Sequence, residues 1–120
     1  MTRTLVLRPS AKINLTLNVG PTRTDGFHEV RTVLQSISLH DRLAITVRRG
    51  PFALTSSSPD VPVDQTNLVW KAADLLWQTL GRRGELRGVQ IALDKKIPIA
   101  AGLGGGSADA AATLAGLHEV

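Results

Sequence analysis

The glycine-rich segment from Pro98 to Asp109 constrains the fold of this 120-residue chain more than any other feature. Four of the five residues from 102 to 106 are glycines, and an alanine-rich run follows them. Because glycine has no Cβ, several backbone N–H groups of such a segment can point into one concavity. The alanine run predicts a helix from Ser107 to Val120, with Ser107 as its N-cap. The first N–H groups of a helix carry partial positive charge, so the sequence predicts a phosphate-binding loop.

Two better-known phosphate loops do not fit this segment. A Walker A loop ends in Gly-Lys followed by Ser or Thr, whereas Gly106 is followed directly by Ser107. The dinucleotide fingerprint needs a third glycine where this chain has Ser107. The simpler alternative is a flexible turn that only starts a helix. An ordinary turn needs one or two glycines, and each further glycine costs chain entropy, so a phosphate loop is favoured.

The first half of the chain has the apolar periodicity of strands. Residues 11–19 alternate apolar and polar side chains, as a half-buried strand does, and Gly20-Pro21 is predicted to end that strand. Further strands are predicted at residues 28–39 and 43–47, followed by a turn at residues 49–51.

The second half has the periodicity of helices around one strand. An apolar stripe over residues 69–80 predicts a helix that Asp64 or Thr66 caps and that Gly81 ends. A strand at residues 88–93 and the helix after the glycine-rich segment complete the order. Strands first and then a β-α-β-loop-α unit predict the α+β class.

The composition excludes several classes of protein. Hydrophobic residues make up 42% of the chain and charged residues 20%, which is a globular composition. There is no cysteine, so disulfide scaffolds, zinc ribbons and thiol catalysis are excluded. The first apolar stretch is too short for a signal peptide, and no apolar run approaches about 18 residues. The sequence therefore predicts a cytoplasmic protein with no membrane partner.

The positive charge of the chain is uneven. The net charge is +4, and the whole excess lies in residues 1–60. A local positive field suits an anionic partner, either a phosphorylated metabolite or a nucleic acid. Scattered arginines on exposed strand faces are the alternative, because a net charge of this size is ordinary.

Three sequence motifs, which follow one another along the chain as they do in the family, resemble the GHMP kinases. The segment from Pro98 to Ser107 is similar to their ATP loop. Residues 9–15 (PSAKINL) and 23–29 (RTDGFHE) resemble a narrower branch, whose acceptor is a cytidine-diphosphate-linked methylerythritol. The resemblance implies an α+β fold, namely the N-terminal GHMP-kinase domain of the ribosomal protein S5 domain 2-like type. It implies one ATP-binding domain over residues 1–120.

The resemblance implies a phosphotransferase. This branch of the family uses ATP and Mg²⁺ to phosphorylate the 2-hydroxyl of its cytidine-linked acceptor in non-mevalonate isoprenoid synthesis. Lys12 takes the position of the catalytic lysine, where its charge stabilises the migrating phosphoryl group. Without the motif, Lys12 would be interpreted as a solvent-facing lysine on an edge strand. The implied ATP-binding residues are Pro98, Ile99, Ala100, Ala101, Gly102, Leu103, Gly104, Gly105, Gly106, Ser107 and Ala108.

The same resemblance assigns three residues to the acceptor. Asn14 lies two residues beyond Lys12, on the same face of the strand, and hydrogen-bonds the erythritol portion. His28 reads the edge of the cytosine, and Phe27, where tyrosine is commoner, stacks on the base. The alternatives are an exposed strand residue for Asn14 and an unliganded turn residue for His28. Asp109 is predicted to favour the helix dipole rather than to bind Mg²⁺, so the metal ligands stay unassigned.

One family motif is absent from these 120 residues. The catalytic aspartate of the family lies in a Gly-Ala-Asp-Val-Pro motif downstream of the glycine loop, and no such motif occurs here. The sequence therefore predicts an N-terminal domain that is incomplete at its C-terminal end and truncated before the C-terminal lobe. A polypeptide of these residues alone should have little kinase activity, because a catalytic base is typically worth about 10²–10⁴ in rate.

Two other functions remain as alternatives. One is another GHMP small-molecule kinase, acting on homoserine or mevalonate, which the cytosine-reading motif argues against. The other is an RNA-binding module of the S5 domain 2-like fold. Against that function, the basic residues are not interleaved with aromatic residues and the sequence predicts no recognition helix. The sequence does not indicate the oligomeric state.

Overall fold

Strands make up the first half of the chain and a further strand lies between two helices, as the sequence predicts. A computed structural model describes residues 3–22, 24, 28–98 and 105–120. The elements are β1 (Arg3–Leu7), β2 (Ser10–Thr22), β3 (His28–His40), β4 (Arg42–Pro51), β5 (Ala53–Ser56), α1 (Leu68–Thr79), β6 (Arg87–Asp94) and α2 (Gly105–Glu119). The predicted α+β class is confirmed.

The strands form two sheets. A four-stranded sheet has the order β1-β4-β6-β5, and β2 pairs with β3 in a separate antiparallel ribbon. Within the larger sheet β4 is antiparallel to both β1 and β6, whereas β5 runs parallel to β6. A parallel pair needs a crossover connection, and α1 lies in the connection between β5 and β6.

Both helices pack on one face of the larger sheet. The register places Leu43 opposite Leu93 and Ile45 opposite Ile91, and all four side chains are buried. Gly116 of α2 lies against the same surface, since a Cβ on it would come within 2.5 Å of Cδ1 of Ile45. The core consists of Leu43, Ile45, Phe52, Leu54, Val61, Val69, Ala73, Ile91 and Leu93.

The ends of α1 differ in part from the prediction. Asn67 is the N-cap, and its side chain accepts a hydrogen bond of 2.8 Å from the backbone N–H of Val69. Asp64 was a wrong choice because its carboxylate accepts from the N–H of Thr66, in a turn before the helix. Thr66 was also wrong, because its hydroxyl donates to the carboxylate of Asp64 rather than capping the helix. Gly81 has φ +73° just after the helix, so the predicted end is confirmed.

Two predicted strand boundaries are also wrong. Strand β2 continues through residues 20–21 to Thr22, which pairs with His28. Strand β4 continues through residues 49–51, and Pro51 pairs with Arg87. Prolines are tolerated in such positions when the strand is an edge or the ladder is irregular there.

Helix α2 begins earlier than the sequence predicts. It starts at Gly105, so Ser107 lies within its first turn and is not its N-cap. Gly105 is buried, and a Cβ on it would lie 2.8 Å from Cγ2 of Ile97. The missing side chain therefore lets the helix begin directly against Ile97. Neither helix in the described part of the chain has the length and hydropathy needed to cross a membrane.

Candidate functional site

The two ends of the predicted phosphate loop are described, and its middle is not. Pro98 is exposed and ends the segment after β6. Gly105, Gly106, Ser107 and Ala108 form the first turn of α2, in which Gly106 and Ser107 are exposed. The first turn of a helix leaves its N–H groups without intrahelical partners, so this turn presents the groups that bind anions. The predicted loop residues Ile99, Ala100, Ala101, Gly102, Leu103 and Gly104 lie outside the described residues.

Lys12 lies on a strand that packs against the helix following this loop. It is half-buried on β2, opposite Ser36, and the preceding Ala11 is fully buried. Helix α2 packs against β2, β1 and β4. The fold therefore brings the strand of the predicted catalytic lysine against the helix that begins at Gly105.

The predicted acceptor residues are placed only as positions in the β2–β3 ribbon. Asn14 lies opposite Leu34, close along the strand to Lys12. His28 lies opposite Thr22, at the other end of the ribbon from Lys12. Phe27 lies outside the described residues, and so do the side chains of Asn14 and His28. The strand ladder therefore does not bring Lys12 and His28 together, and the cytidine assignments stay predictions.

Three buried charged side chains that the sequence did not indicate as a group meet at the base of α2. Nζ of Lys95 lies 2.7 Å from Oδ2 of Asp41 and 3.0 Å from Oδ2 of Asp109. The side chains of Lys95, Asp41 and Asp109 are 8%, 0% and 3% exposed. We call these three residues the buried charge cluster.

Asp41 connects this cluster to the backbone on two sides. Its Oδ1 accepts hydrogen bonds from the N–H groups of Lys96, at 2.7 Å, and Ile97, at 2.9 Å. Its own N–H donates to the carbonyl of Pro9 at 3.0 Å. Through its backbone N–H and its carboxylate, Asp41 thus links the residue before β2 to the segment that leads into the glycine-rich loop.

The pKa values of the two carboxyl groups in the cluster are shifted in opposite directions. Burial, together with the hydrogen bond to Asp41, raises the pKa of Asp109 to about 7, although Lys95 acts in the other direction. Burial alone would raise the pKa of Asp41. Hydrogen bonds from Asp109, Ile97, Lys95 and Lys96 outweigh burial and lower it below 3.8. Asp41 is therefore ionised at neutral pH, while Asp109 titrates there.

Lys95 stays charged in this environment. Burial would lower its pKa, but the hydrogen bonds with Asp41 and Asp109 outweigh burial and raise the pKa above 10.5. Oδ1 of Asp109 is buried and accepts no hydrogen bond from the described residues.

The predicted role of Asp109 is wrong. Helix α2 begins at Gly105 and has no acidic residue in its first turn, so Asp109 lies beyond that turn, where it is buried and bonded to Lys95. A signal for this was present in the sequence. Gly105, Asp109, Thr113 and Gly116 recur at helical spacing and form the fully buried face of α2, beside which Leu117 packs against the core. An aspartate on such a face requires a buried partner.

The described residues contain no group of three or more His, Asp or Glu side chains that could hold a metal ion. The buried carboxylates of Asp41 and Asp109 are engaged by Lys95, so they do not fit a resident Mg²⁺.

Two cavities lie away from these residues. One of about 320 Å³ is lined by residues that include Trp77, Leu80 and Leu117. Another of about 270 Å³ is lined by residues that include Arg49 and Trp77. None of the predicted site residues lines either cavity.

The part of the chain that contains α1, β6 and α2 matches a known protein family. Residues 67–120 match the family described as GHMP kinases N terminal domain. Among curated proteins, the chain is 47% identical to a 4-diphosphocytidyl-2-C-methyl-D-erythritol kinase of Rhodococcus jostii, over 98% of its own length. It is 52% identical over 92% of its length to a kinase of the same name from Pelotomaculum thermopropionicum. The chain spans 38% of the length of each of these relatives.

Solved structures agree with the sequence comparisons. A crystal structure of 4-(cytidine 5'-diphospho)-2C-methyl-D-erythritol kinase superposes with a TM-score of 0.76 at 38% identity, covering 96% of this chain and 40% of that one. Homoserine kinase from Cytophaga hutchinsonii superposes with a TM-score of 0.64 at 19% identity, covering 98% of this chain and 35% of that one. The second likeness supports the fold alone.

Proposed function

Because the chain belongs to the GHMP kinase family, we propose that it forms the N-terminal, ATP-binding domain of an enzyme that phosphorylates 4-diphosphocytidyl-2-C-methyl-D-erythritol. ATP is the phosphoryl donor, and the 2-hydroxyl of the acceptor is the group that is phosphorylated. The supporting observation is 47–52% identity, over more than nine tenths of this chain, to kinases of that name. The enzyme is proposed to work in the cytoplasm, in non-mevalonate isoprenoid synthesis.

The N-terminal turn of α2 is the proposed site for the phosphates of ATP. Its exposed residues Gly106 and Ser107 present backbone N–H groups at the positive end of the helix dipole. Anchored phosphates and an oriented acceptor are what phosphoryl transfer requires from the protein. Mg²⁺ is proposed to accompany ATP, since it commonly binds substrate phosphates together with one or two carboxylates.

Lys12 is the proposed catalytic residue. Its ammonium group would lie beside the acceptor hydroxyl and stabilise the negative charge that develops on the transferring phosphoryl group. The packing of α2 against β2 supports this role, because it places the lysine strand beside the helix proposed to hold the phosphates. Asn14, Phe27 and His28 are the proposed contacts of the acceptor.

Nucleotide binding by the chain itself tests the ATP-binding part of this proposal. A non-hydrolysable ATP analogue should shift the backbone amide resonances of residues 105–108 and leave those of β5 unchanged. A chain in which the analogue perturbs no resonance of residues 105–108 would contradict the assignment.

Turnover by the 120 residues alone tests the expected need for the missing aspartate motif. We expect little ADP release in a coupled assay with the cytidine-linked acceptor, since the motif is absent from these residues. Turnover at the rate of the full-length relatives would contradict that expectation.

A further inference from the structure

Lys95 joins two segments that flank the glycine-rich loop. It lies between the end of β6 and Pro98, whereas Asp109 lies on α2, fourteen residues later. The 3.0 Å ion pair between them therefore closes a ring that contains the whole loop sequence. The two side chains are 8% and 3% exposed, so solvent does not weaken this contact as it weakens surface pairs.

Asp41 fixes the position of this ring relative to β2. Its carboxylate accepts from Nζ of Lys95 and from the N–H groups of Lys96 and Ile97, so it holds the incoming end of the loop at three points. Its N–H donates to the carbonyl of Pro9, one residue before β2 begins. Lys12 is on that strand.

Apart from this ion pair, the described contacts at the N-terminal end of α2 are close packing against Leu68 of α1 and against Ile97. The buried face of the helix consists of Gly105, Asp109, Thr113 and Gly116, which have small or polar side chains. Gly105 packs on Ile97 without a side chain of its own. Small side chains leave the position of α2 along the sheet weakly specified. An ion pair specifies it, because its two groups must meet in one geometry. Buried charged groups are best attested as devices that fix register.

We propose that Lys95 is a positioning residue, which acts through Asp109 and Asp41 to set where α2 begins relative to the strand of Lys12, and thereby sets the affinity for ATP. The inference rests on the proposed function, because it assigns the phosphates of ATP to the first turn of α2. Lys95 touches neither ATP nor acceptor in this account. Its neighbour Lys96 is the matched control, with a side chain 63% exposed that lies 3.8 Å from Asp94.

The first test uses the chain itself and needs no ligand. Hydrogen exchange is measured for the amides of Lys96 and Ile97 in the wild type and in Lys95→Met, Lys96→Met and Asp109→Asn. Lys95→Met should speed exchange of these amides at least tenfold more than it speeds exchange of the β4 amides, which follow the free energy of global unfolding. Lys96→Met should leave all of them unchanged. Asp109→Asn keeps the shape of the side chain but removes its charge. If Lys95→Met does not fold, Asp109→Asn should speed exchange of the Lys96 and Ile97 amides in the same way. Equal exchange in all four proteins overturns the proposal.

The second test measures catalysis in a chimera, in which these 120 residues replace the matching part of the Rhodococcus jostii kinase. Lys95→Met should raise the KM for ATP at least tenfold, with kcat and the KM for the acceptor changed less than threefold. Lys96→Met should match the wild type. An equal rise of both KM values, or a loss of kcat alone, overturns the positioning role. A wild-type chimera without kinase activity contradicts the proposed function instead, and the exchange comparison then still decides whether Lys95 positions α2.

Discussion

Nζ of Lys95 lies 3.0 Å from Oδ2 of Asp109, although the whole glycine-rich loop separates the two residues in the sequence. Nζ also lies 2.7 Å from Oδ2 of Asp41, which is fully buried. The structure thus places a cation and two carboxyl groups inside the protein, where each depends on the others. Changes to this cluster should affect the stability of the chain as well as the proposed chemistry.

Lys95→Met should destabilise the chain by about 3–5 kcal/mol, because it leaves the buried carboxylate of Asp41 without its cation. Urea unfolding followed by tryptophan fluorescence measures this, since Trp70 and Trp77 both lie on α1. Lys96→Met is the control and should cost less than about 1 kcal/mol, because its ion pair is exposed. Equal losses for the two variants would show that the buried cluster contributes no special stability.

The free energy of unfolding should fall as pH rises from about 4 to about 7. The folded pKa of Asp109 is raised to about 7 from 3.8, so in this range the folded protein holds a proton that the unfolded chain releases. The lowered pKa of Asp41 acts only below about pH 4, and the raised pKa of Lys95 acts only above about pH 10. Within this cluster, Asp109 therefore determines how the free energy of unfolding changes between about pH 4 and about pH 7.

Asp109→Asn isolates this effect from other titrating groups. The difference in free energy of unfolding between wild type and Asp109→Asn should decrease from pH 5 to pH 7 and stay constant above pH 8. Urea denaturation at each pH gives this difference directly. A difference that does not change with pH would mean that Asp109 is ionised throughout.

Gly116→Ala should destabilise the chain by about 1–3 kcal/mol, because overpacking a core surface forces neighbouring side chains to move. A Cβ at this position would lie 2.5 Å from Cδ1 of Ile45 and 2.8 Å from Cδ1 of Leu7. Gly106→Ala is the control, since its Cβ would lie 3.5 Å from Cδ1 of Leu68, an ordinary contact. Thermal unfolding distinguishes the two variants, and similar melting temperatures would contradict the close packing of α2 on the sheet.

Much of the fold follows from local sequence patterns. The strand at residues 28–39 and the α1 stripe ending at Gly81 were predicted because apolar periodicity and a glycine after a helix are local signals. Strand ends were less predictable, because the pairing of Thr22 with His28 and of Pro51 with Arg87 extends β2 and β4 through residues that usually stop strands.

The buried charge cluster was not predictable as a unit. Asp41 and Lys95 are 54 residues apart, and only the packing of α2 on the sheet brings Asp109 to them. The motif resemblance indicated the phosphate loop and Lys12, since these depend on short contiguous segments. It gave no information on which charges hold those segments together.

Lys12→Met should reduce kcat of the chimera at least 10²-fold, because it removes a charge aimed at the transition state. The KM for ATP should change little, since the phosphates are assigned to α2. Lys71→Met is the control, because Lys71 is exposed on α1, and it should leave both constants unchanged. Steady-state kinetics with both substrates varied gives these values. A Lys12→Met enzyme that retains its kcat would remove Lys12 from the catalytic site.

The position of the new phosphate is the most direct test of the proposed function. The chimera is incubated with ATP and 4-diphosphocytidyl-2-C-methyl-D-erythritol, with homoserine and mevalonate as competing acceptors, and the products are followed by phosphorus NMR. We expect a phosphomonoester at the 2-hydroxyl of the cytidine-linked acceptor and none on the competitors. Phosphorylation of a competitor, or of another hydroxyl, would contradict the proposed function.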